Sequence, residues 1–420
     1  LGTGIFGEKF PKLSGETDDS ARIQRALNSF GTNGGVLKLS VPTMNISSPI
    51  LLPENVQLEG VGHGLTTTNI NYSGTGFAIQ SKGQHTRINV KSIRINLNGT
   101  NSGILIGDLY ANLNGYVPGN NRIQDVTIAG IGVGQIGLKL LNVSHCTLDN
   151  VHIGYGTTTG GIGLKIESDT LNTGVIVAVN CVFGRVDNTD IGMIIDGNAA
   201  LDSFTFNSCY FGGKTTTVQL GQSSSGVVRA AVFNGCHYEC RNSSGSAIEI
   251  YNVRGGGING GSIQGYGTLV NGITFKTGTT TRRFNVFGVE ANSILINFYN
   301  NEGATLLEDC ILQACVKTGT SVTNQFSGSF GGCQRFDETK FRLDSIVPEN
   351  IYLGGTKNTY GTTMPTSGTY NQGDYVKNTR PSIQGTAGTK YVVKGWNRIT
   401  TGSAHVLNTD WVEDRSLTGQ

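Results

Sequence analysis

A repeat of short apolar segments constrains this chain more than any other feature of its sequence. Eight segments between positions 125 and 312 end in an apolar or aromatic residue after steps of 23 to 30 residues. Their last residues are Ile128, Ile153, Phe183, Phe211, Tyr238, Ile263, Val289 and Leu312. A second series with the same elastic period comprises Leu138, Leu164, Met193, Val218, Ile248, Ile273 and Ile296. Two independent columns with one period indicate a solenoid of stacked coils.

The coils are predicted to consist of β-strands. Each repeat contains short runs in which apolar and polar residues alternate, separated by Gly, Asn, Ser and Thr. This pattern is typical of short strands joined by turns. Glycine supplies 62 of the 420 residues and good helix formers are scarce, which argues against a helical solenoid. The sequence therefore predicts an all-β fold, a parallel β-helix whose coils stack about 4.8 Å apart.

The alternation also predicts what fills the core and what bonds neighbouring coils. Four cysteines share the position two residues before a column residue: Cys181, Cys209, Cys236 and Cys310. We expect them to stack inside as small hydrophobes rather than to form disulfides. Four asparagines lie two residues earlier again: Asn207, Asn234, Asn259 and Asn285. A ladder of amides at a bend lets each side chain hydrogen-bond the next coil.

The two ends of the chain differ from the repeats. Residues 1–35 are predicted to be an N-terminal cap, because Ile23, Leu27 and their neighbours have helical spacing and give a short amphipathic helix over 19–30. Residues 36–316 form the predicted solenoid, which begins with strands at 36–40 and 56–62. The columns fail after about residue 316, so we predict a linker at 317–340. A small β domain is predicted at 341–420, where both Trp, three of the eight Pro and more charge occur.

Charge and composition exclude several classes of function. The net charge is +2 and no basic run occurs, so nucleic acid and anionic membrane surfaces are not expected as partners. No stretch approaches 18 apolar residues, so membrane insertion is not expected either. The opening LGTGIFGEKF does not read as a signal peptide. No CxxC pair occurs and the His residues are scattered, so no metal and no cofactor are predicted.

Two parts of the sequence resemble a known family. GETDDSARIQRAL at 15–27 and GGVLKLSVPTMNISSPILLPENVQLEGVG at 34–62 resemble the opening of pectate-lyase-like, right-handed β-helix proteins. The tail, with GDYVKNTRPSI at 373–383, resembles the terminal module of bacteriophage tailspikes. The resemblance implies a homotrimer in the virion tail that binds and cleaves capsular polysaccharide or lipopolysaccharide O-antigen at the bacterial surface. It also implies a virion-attachment region upstream of Leu1.

A pair of carboxyl groups is the first chemical signal to look for, because glycoside hydrolysis uses two. One predicted outward column runs through Gly184, Gly212, Glu239, Gln264, Glu290 and Gln313. Two coils would separate Glu239 from Glu290 by about 9.6 Å at the backbone, near the range for inverting hydrolysis. His237 and Tyr210 are expected beside Glu239 as substrate contacts. Gln264, Arg241 and Tyr251 complete the predicted substrate-binding set. The same column could instead serve only to hydrogen-bond along the coils.

A second candidate pair is Glu167 and Asp196, which the repeat places on adjacent coils. Their carboxyl groups would lie about 5 Å apart, as in a retaining pair. Tyr251 and Lys276 are expected further along that column. Acids in such positions often only cap turns or face solvent.

Other chemistries stay open at this point. A polysaccharide lyase would need a base and a group that neutralises a uronate, for which His237 with Arg241, or Tyr251 with Arg254, could serve. A spike that binds its receptor without cleaving it would need none of these acids. A secreted pectinolytic lyase would also share the solenoid, but no Asp cluster resembling the calcium site of such enzymes occurs in the sequence.

Overall fold

The protein divides into two compact units in a computed structural model. The first unit comprises residues 1–343 and the second residues 344–420. The residues that the structure describes are 2–5, 9–40, 42–61, 68–81, 87–107, 119–155, 160–169, 172–222, 226–242, 245–313, 316–317, 324–330, 333–337, 340–342, 351–353 and 356–418.

The first unit is a parallel β-solenoid, as predicted. Its strands stack in three rows, called faces A, B and C in the order in which each coil visits them. Face A contains Gly2–Ile5, Gly35–Lys38, Val56–Glu59, Ser144–Asp149, Thr173–Val179, Leu201–Asn207, Val228–Asn234, Val253–Asn259, Thr280–Arg282, Asn285–Phe287, Leu306–Glu308, Cys310–Gln313 and Cys333–Asp337. Face B contains Thr43–Ile46, Thr68–Tyr72, His152–Tyr155, Val182–Phe183, Tyr210–Gly213, His237–Cys240 and Val316–Lys317. Face C contains Ile50–Leu52, Phe77–Ser81, Ser102–Gly107, Ile136–Leu141, Ile162–Ser168, Ile191–Gly197, Thr216–Leu220, Ser246–Ile250 and Asn324–Ser327.

Four longer strands pass from one face to the next. Asn89–Asn96 and Asn121–Ala129 continue from face A into face B, whereas Ser262–Phe275 and Glu290–Asn301 continue from face B into face C. Neighbouring coils pair in parallel on all three faces, so each coil hydrogen-bonds the coils before and after it.

Both predicted apolar columns are confirmed over most of their length. The register joins Ile128, Ile153, Phe183, Phe211, Tyr238 and Ile263 on face B. On face C it joins Leu138, Leu164, Met193, Val218, Ile248 and Ile273. All of these side chains are buried. Aromatic rings stack between coils, as Phe211 and Tyr238 do with centroids 5.4 Å apart, so a dry and continuous core supports both faces.

The predicted register is wrong from the coil of residue 285 onward. Ile263 pairs with Ala291 instead of Val289, and Leu312 pairs with Val286 on face A. Ile273 pairs with Tyr299 instead of Ile296. A slip of two residues keeps apolar side chains pointing inward, because side chains alternate with a period of two. The alternation therefore could not reveal the slip on face B.

The predicted polar and cysteine columns follow the same register. Asn234 donates to Asn207 at 2.8 Å and Asn259 donates to Asn234 at 3.0 Å, so the ladder spans three coils. Asn285 is not its fourth member, because it pairs with Gly257. The seven cysteines in the described ranges are all buried, and none of them forms a disulfide. Cys310 pairs with Cys333 on face A and so does not continue the predicted column, whereas Cys315 lies outside the described residues.

The predicted N-terminal cap is a helix at Ser20–Asn28, followed by a short 3-10 turn at Gly31–Asn33. Ile23, Ala26 and Leu27 are fully buried in the solenoid core. Gln24 exchanges two hydrogen bonds with the backbone of Leu51, at 2.9 and 3.0 Å. The apolar face of the helix thus covers the first coil.

The far end of the solenoid differs from the prediction. Asn324–Ser327 and Cys333–Asp337 lie in the predicted linker 317–340, yet they pair in parallel with strands of the preceding coils. Here the apolar columns lose their regular spacing although the backbone ladder continues. A short antiparallel strand, Lys340–Arg342, pairs with Cys333–Asp337.

The second unit is a small β-sheet, as predicted. Its strands are Ile351–Leu353, Thr356–Gly361, Tyr375–Asn378, Ile383–Gln384, Tyr391–Arg398 and Trp411–Leu417. Its core contains Val376, Val393, Trp396 and Trp411. No described helix of either unit is long and apolar enough to cross a membrane. The homotrimer stays a prediction.

Candidate active site on face B

A cavity of about 380 Å³ opens on face B in the middle of the solenoid. It is lined by Val182, Arg185, Val186, Asp187, Tyr210, Glu239 and Tyr266. The register places Glu239 beside Gly212 of the coil before and Gln264 of the coil after. Three successive coils and the segment that follows Val182–Phe183 therefore contribute side chains to one cavity.

Glu239 is the centre of the hydrogen bonding in this cavity. The hydroxyl of Tyr210 donates to its Oε2 and the hydroxyl of Tyr266 donates to its Oε1. Both oxygens thus accept from neutral donors, an arrangement that suits a negatively charged carboxylate. Neither phenol cancels the charge of Glu239, so that charge can act on a bound molecule.

Two arginines bring positive charge to this region: Arg185 lines the cavity, and Arg241 contacts two residues that line it. The guanidinium of Arg241 lies 4.6 Å from the ring centre of Tyr266 and bridges to Asp187. The guanidinium of Arg185 lies 3.9 Å from the ring centre of Tyr155. Stacking on an aromatic ring holds a guanidinium in place while its donors stay available. The cavity is therefore lined by acids, cations and phenols.

The phenols and the imidazole of this site are all biased toward their neutral forms. Burial and the hydrogen bond to Glu239 raise the pKa of Tyr210 well above its usual range. The hydrogen bond to Glu239, helped by burial, raises the pKa of Tyr266 to about 12. Burial lowers the pKa of His237 below its usual value and outweighs the attraction of Glu239. Near neutral pH, Tyr210 and Tyr266 remain donors and His237 remains uncharged.

His237 lies next to the cavity on the outward face. Its ring packs against Tyr210 with centroids 5.4 Å apart, and its Nδ1 is 2.5 Å from the hydroxyl oxygen of Ser262. The predicted proximity of His237 and Tyr210 to Glu239 is therefore present in the structure. Gln264, on the next coil, is the backbone pairing partner of Glu239.

Glu290 does not lie in the column of Glu239, and the expectation that it does is wrong. Its backbone pairs with Ser262, which pairs with His237, whereas the coil position above Gln264 belongs to Asn292. The two-residue register slip moves Glu290 sideways on the same face. Glu290 is exposed and does not line the cavity.

The glycine column beneath Glu239 could suggest an open floor for a sugar, but the structure has none there. A Cβ atom added to Gly212 would lie 2.8 Å from a ring carbon of Tyr210 and 2.9 Å from the Cα atom of Arg185. Gly212 therefore allows Tyr210 and the Arg185 segment to approach each other closely beneath Glu239. The space for a ligand lies over these groups and not between them.

The second predicted pair lies on face C, away from this cavity. Glu167 and Asp196 are paired on adjacent coils, as predicted. The ammonium group of Lys139 is 2.5 Å from one oxygen of Glu167 and that of Lys165 is 3.1 Å from the other. Burial opposes ionisation of Glu167, but these two lysines outweigh it and lower its pKa. The negative charge of Glu167 is therefore balanced by two lysines.

Tyr251 lies further along face C, in a network of its own. Its hydroxyl donates to Glu249 at 3.2 Å. Lys276 is 3.7 Å from Glu249 and 2.8 Å from Glu302. Burial and the charge of Glu249 raise the pKa of Tyr251. Tyr251 and Arg241, both predicted substrate contacts, thus belong to different faces.

Sequence reasoning missed three cavity residues: Arg185, Asp187 and Tyr266. Arg185 and Asp187 follow the two-residue strand Val182–Phe183, and Tyr266 lies in the long strand Ser262–Phe275. None of them occupies a repeated column position. The signal that could have found them is local, because Arg185, Asp187 and Tyr266 all follow within four residues of the face B column residue of their coil. Within the described ranges, no group of three His, Cys, Asp or Glu side chains could hold a metal ion.

Several solved structures share this architecture. The Dettilon tailspike protein matches with a TM-score of 0.55 at 10% identity, over 96% of this chain and 79% of that one. The tailspike protein of Acinetobacter phage vB_ApiP_P1 matches with a TM-score of 0.51 at 12% identity, over 98% and 78%. Phage tailspikes use this fold.

An enzyme domain shares it as well. The A-module of mannuronan C-5 epimerase AlgE4 from Azotobacter vinelandii matches with a TM-score of 0.53 at 13% identity, over 78% of this chain and 98% of that module. No protein-family model and no curated protein sequence matches the chain. Identities this low show a common fold, and the chemistry has to be argued from the cavity.

Proposed function

We propose that this chain is the body of a homotrimeric phage tailspike that binds and depolymerises a bacterial surface polysaccharide, either capsule or O-antigen. The observation that carries the proposal is the face B cavity, where Glu239, two phenols and the guanidinium group of Arg185 surround a space large enough for a sugar residue, with Arg241 packed against Tyr266. The fold shared with tailspike proteins supports the placement in a virion tail.

The proposed reaction is endo-glycosidic hydrolysis. Such hydrolysis needs one carboxyl group to protonate the departing oxygen and another to activate water or attack the sugar. Glu239 suits the second task, because both of its oxygens accept hydrogen bonds and are held in place by Tyr210 and Tyr266. Asp187 lines the same cavity and is our candidate for the partner carboxyl group. Glu290, exposed on the same face, is the alternative partner.

The remaining cavity groups suit sugar binding. Arg185 and Arg241 offer donors in fixed orientations, and the ring of Tyr266, 42% exposed, presents an apolar surface. A few oriented polar groups among apolar walls are what a small-molecule subsite needs. His237 and Gln264 extend this surface to the neighbouring position on face B.

The deciding experiment is incubation of the full chain with a panel of purified bacterial capsules and lipopolysaccharides, followed by mass spectrometry of the products. Fragments that gain one water support the hydrolase. Tight binding of one polysaccharide without cleavage would instead support a receptor-binding spike that is not an enzyme. Sedimentation at micromolar concentration tests the trimer, and a monomer there would contradict it.

A polysaccharide lyase is a second candidate, and the pairing of arginines with a neutral imidazole favours it. Arg185 and Arg241 could neutralise a uronate carboxylate, and an uncharged His237 could accept the proton that β-elimination removes. Lyase products contain a double bond that absorbs in the ultraviolet and do not gain water. The same panel therefore separates the two reactions.

A further inference from the structure

Face A carries a row of arginines that lies outside the cavity just described. The register stacks Arg229, Arg254 and Arg282 on three successive coils. Asp202 precedes the row and Glu308 follows it in the same column. Cations that are direct neighbours across strands repel one another, so this column has an electrostatic cost that a bound anion would reduce.

The acids at the two ends leave the middle of the row uncompensated. Arg229 lies 3.7 Å from Asp202, and Arg282 lies 2.8 Å from Glu308. Arg254 is exposed, and no carboxylate among the described residues lies within salt-bridge distance of it. Its guanidinium is thus a free cation between two further cations.

A cavity of about 430 Å³ gives this charge a defined place. It is lined by Arg254, Gly255, Arg282, Arg283, Glu308 and Asp309. Gly255 has a φ of +80° and open space where a side chain would project, since an added Cβ would meet only a backbone nitrogen at 3.8 Å. Backbone and guanidinium groups are therefore both accessible to a ligand beside Arg254.

We propose that this arginine row (Arg229, Arg254 and Arg282) is a binding site for the anionic groups of a polysaccharide, separate from the face B cavity. A guanidinium fork matches carboxylate and phosphate groups. The row repeats at the coil spacing of about 4.8 Å, comparable with the length of one sugar residue, so an extended acidic glycan can meet one cation after another. The choice of a glycan as the polymer rests on the proposed function.

The two sites occupy different faces of the same coils. Val228–Asn234 carries Arg229 on face A, and His237–Cys240 carries Glu239 on face B. One sugar residue cannot reach both, so the row would hold the polymer to the spike without taking part in cleavage. Loss of the row should therefore weaken the binding of long acidic chains.

The test uses the full chain with Glu239→Gln, which prevents cleavage, and measures binding by isothermal titration calorimetry at low salt. The probes are polygalacturonate for carboxylates, a polyglycerol phosphate for phosphodiesters, and neutral dextran. We expect at least one acidic polymer to bind, dextran not to bind, and Arg254→Gln to weaken acidic binding by about tenfold. Whichever acidic polymer loses affinity identifies the anion. The matched control is Arg380→Gln, which removes the same charge from an exposed position of the second unit and should bind like the parent.

Two binding results would overturn the proposal: equal affinity of Arg254→Gln and the parent for the acidic polymers, or dextran binding as tightly as those polymers. A changed sedimentation coefficient for Arg254→Gln would also overturn it, because it would assign the row to a contact between copies of the chain. Melting temperatures of the variants check that they are folded. If Arg254→Gln weakens binding while the wild-type chain cleaves no polysaccharide in the panel, the row stands and the enzymatic proposal fails. If the wild-type chain cleaves a polysaccharide and Arg254→Gln binds normally, the enzymatic proposal stands and the arginine row is not a binding site.

Discussion

Glu239 and Glu167 are two half-buried acids on one solenoid, and their surroundings differ in kind. Glu239, on face B, is held by two neutral phenols at the edge of a cavity. Glu167, on face C, is held by two lysines. The phenols orient a carboxylate without cancelling its charge, whereas the lysines cancel the charge of theirs. Of these two acids, only Glu239 therefore has its charge available for chemistry.

The difference arises from what each coil offers at the neighbouring positions. Lys165 is two residues before Glu167 on the same strand, and Lys139 lies one coil earlier on the same face. Around Glu239 the corresponding neighbours include Tyr210 and the glycine Gly212. The stacking of coils thus decides whether an acid is part of a charge ladder or of a cavity.

The largest effect that separates the two acids should be on cleavage. We expect Glu239→Gln to lower kcat on the polysaccharide that the panel identifies by about 10²- to 10⁴-fold, as loss of a catalytic carboxylate does. Glu167→Gln should cleave at nearly the wild-type rate. Initial rates of reducing-end release from equal amounts of folded protein measure both.

The same rate measurement on Asp187→Asn and Glu290→Gln identifies which acid is the partner of Glu239. We expect the large loss for Asp187→Asn and a small one for Glu290→Gln. A large loss for Glu167→Gln, with Glu239→Gln active, would reverse the comparison and move the site to face C.

The solenoid itself could be predicted from sequence because its signal is repeated on every coil. Column residues such as Phe211 and Ile248 recur with apolar neighbours above and below, and their burial follows from the alternation. The coil of Asn285 shows the limit of that signal. A shift of two residues preserves the inward and outward faces, so the sequence alone could not show that Glu290 follows Ser262 instead of Gln264.

The site was less predictable because only part of it belongs to the repeat. Glu239, His237 and Tyr210 occupy column positions, and their proximity followed from the period. Asp187 lies between strands, at a place that the columns do not define, and Tyr266 is near Glu239 only because of how the strand Ser262–Phe275 is placed. Such contacts depend on backbone geometry for which no repeated residue gives a signal.

Removal of single phenols should have the next largest effect. Tyr210→Phe and Tyr266→Phe each take one hydrogen bond from Glu239 and leave the ring in place. A hydrogen bond to a charged group contributes about 1.5–3 kcal/mol, so we expect kcat/KM to fall by about 10- to 100-fold for each variant. Tyr251→Phe, which removes a hydroxyl that donates to Glu249 on face C, is the matched control and should retain full activity. Equal losses in all three would point to general loss of stability and not to the orientation of Glu239.

Glu167 should matter for stability in a way that depends on pH. Its pKa is lowered in the folded state, so its contribution is fully present above the unfolded value of about 4.5 and is lost as pH falls through the folded value. We expect Glu167→Gln to reduce the free energy of unfolding by about 1 kcal/mol at pH 7, and the difference from wild type to shrink on acidification below pH 4.5. Urea denaturation at several pH values measures it, and a difference that is independent of pH would contradict the ion-pair account.

Replacement of His237 should have the smallest effect, a pH-dependent change in the free energy of unfolding. The sign of that change tests whether burial or the charge of Glu239 controls the pKa of the imidazole. Burial lowers the pKa of His237 below its usual value of 6.5. The stability that this neutral ring contributes is present above pH 6.5 and is lost as pH falls through the folded value. Wild type should therefore lose stability relative to His237→Gln as pH decreases from about 7.5 to about 5.5, a range above the usual carboxylate pKa values. If the attraction of Glu239 dominated instead, the pKa would be raised and wild type would gain stability over the variant in that range. Since the two causes predict opposite slopes, a small difference is sufficient to decide between them, and a gain would mean that Glu239 is already partly compensated, as Glu167 is.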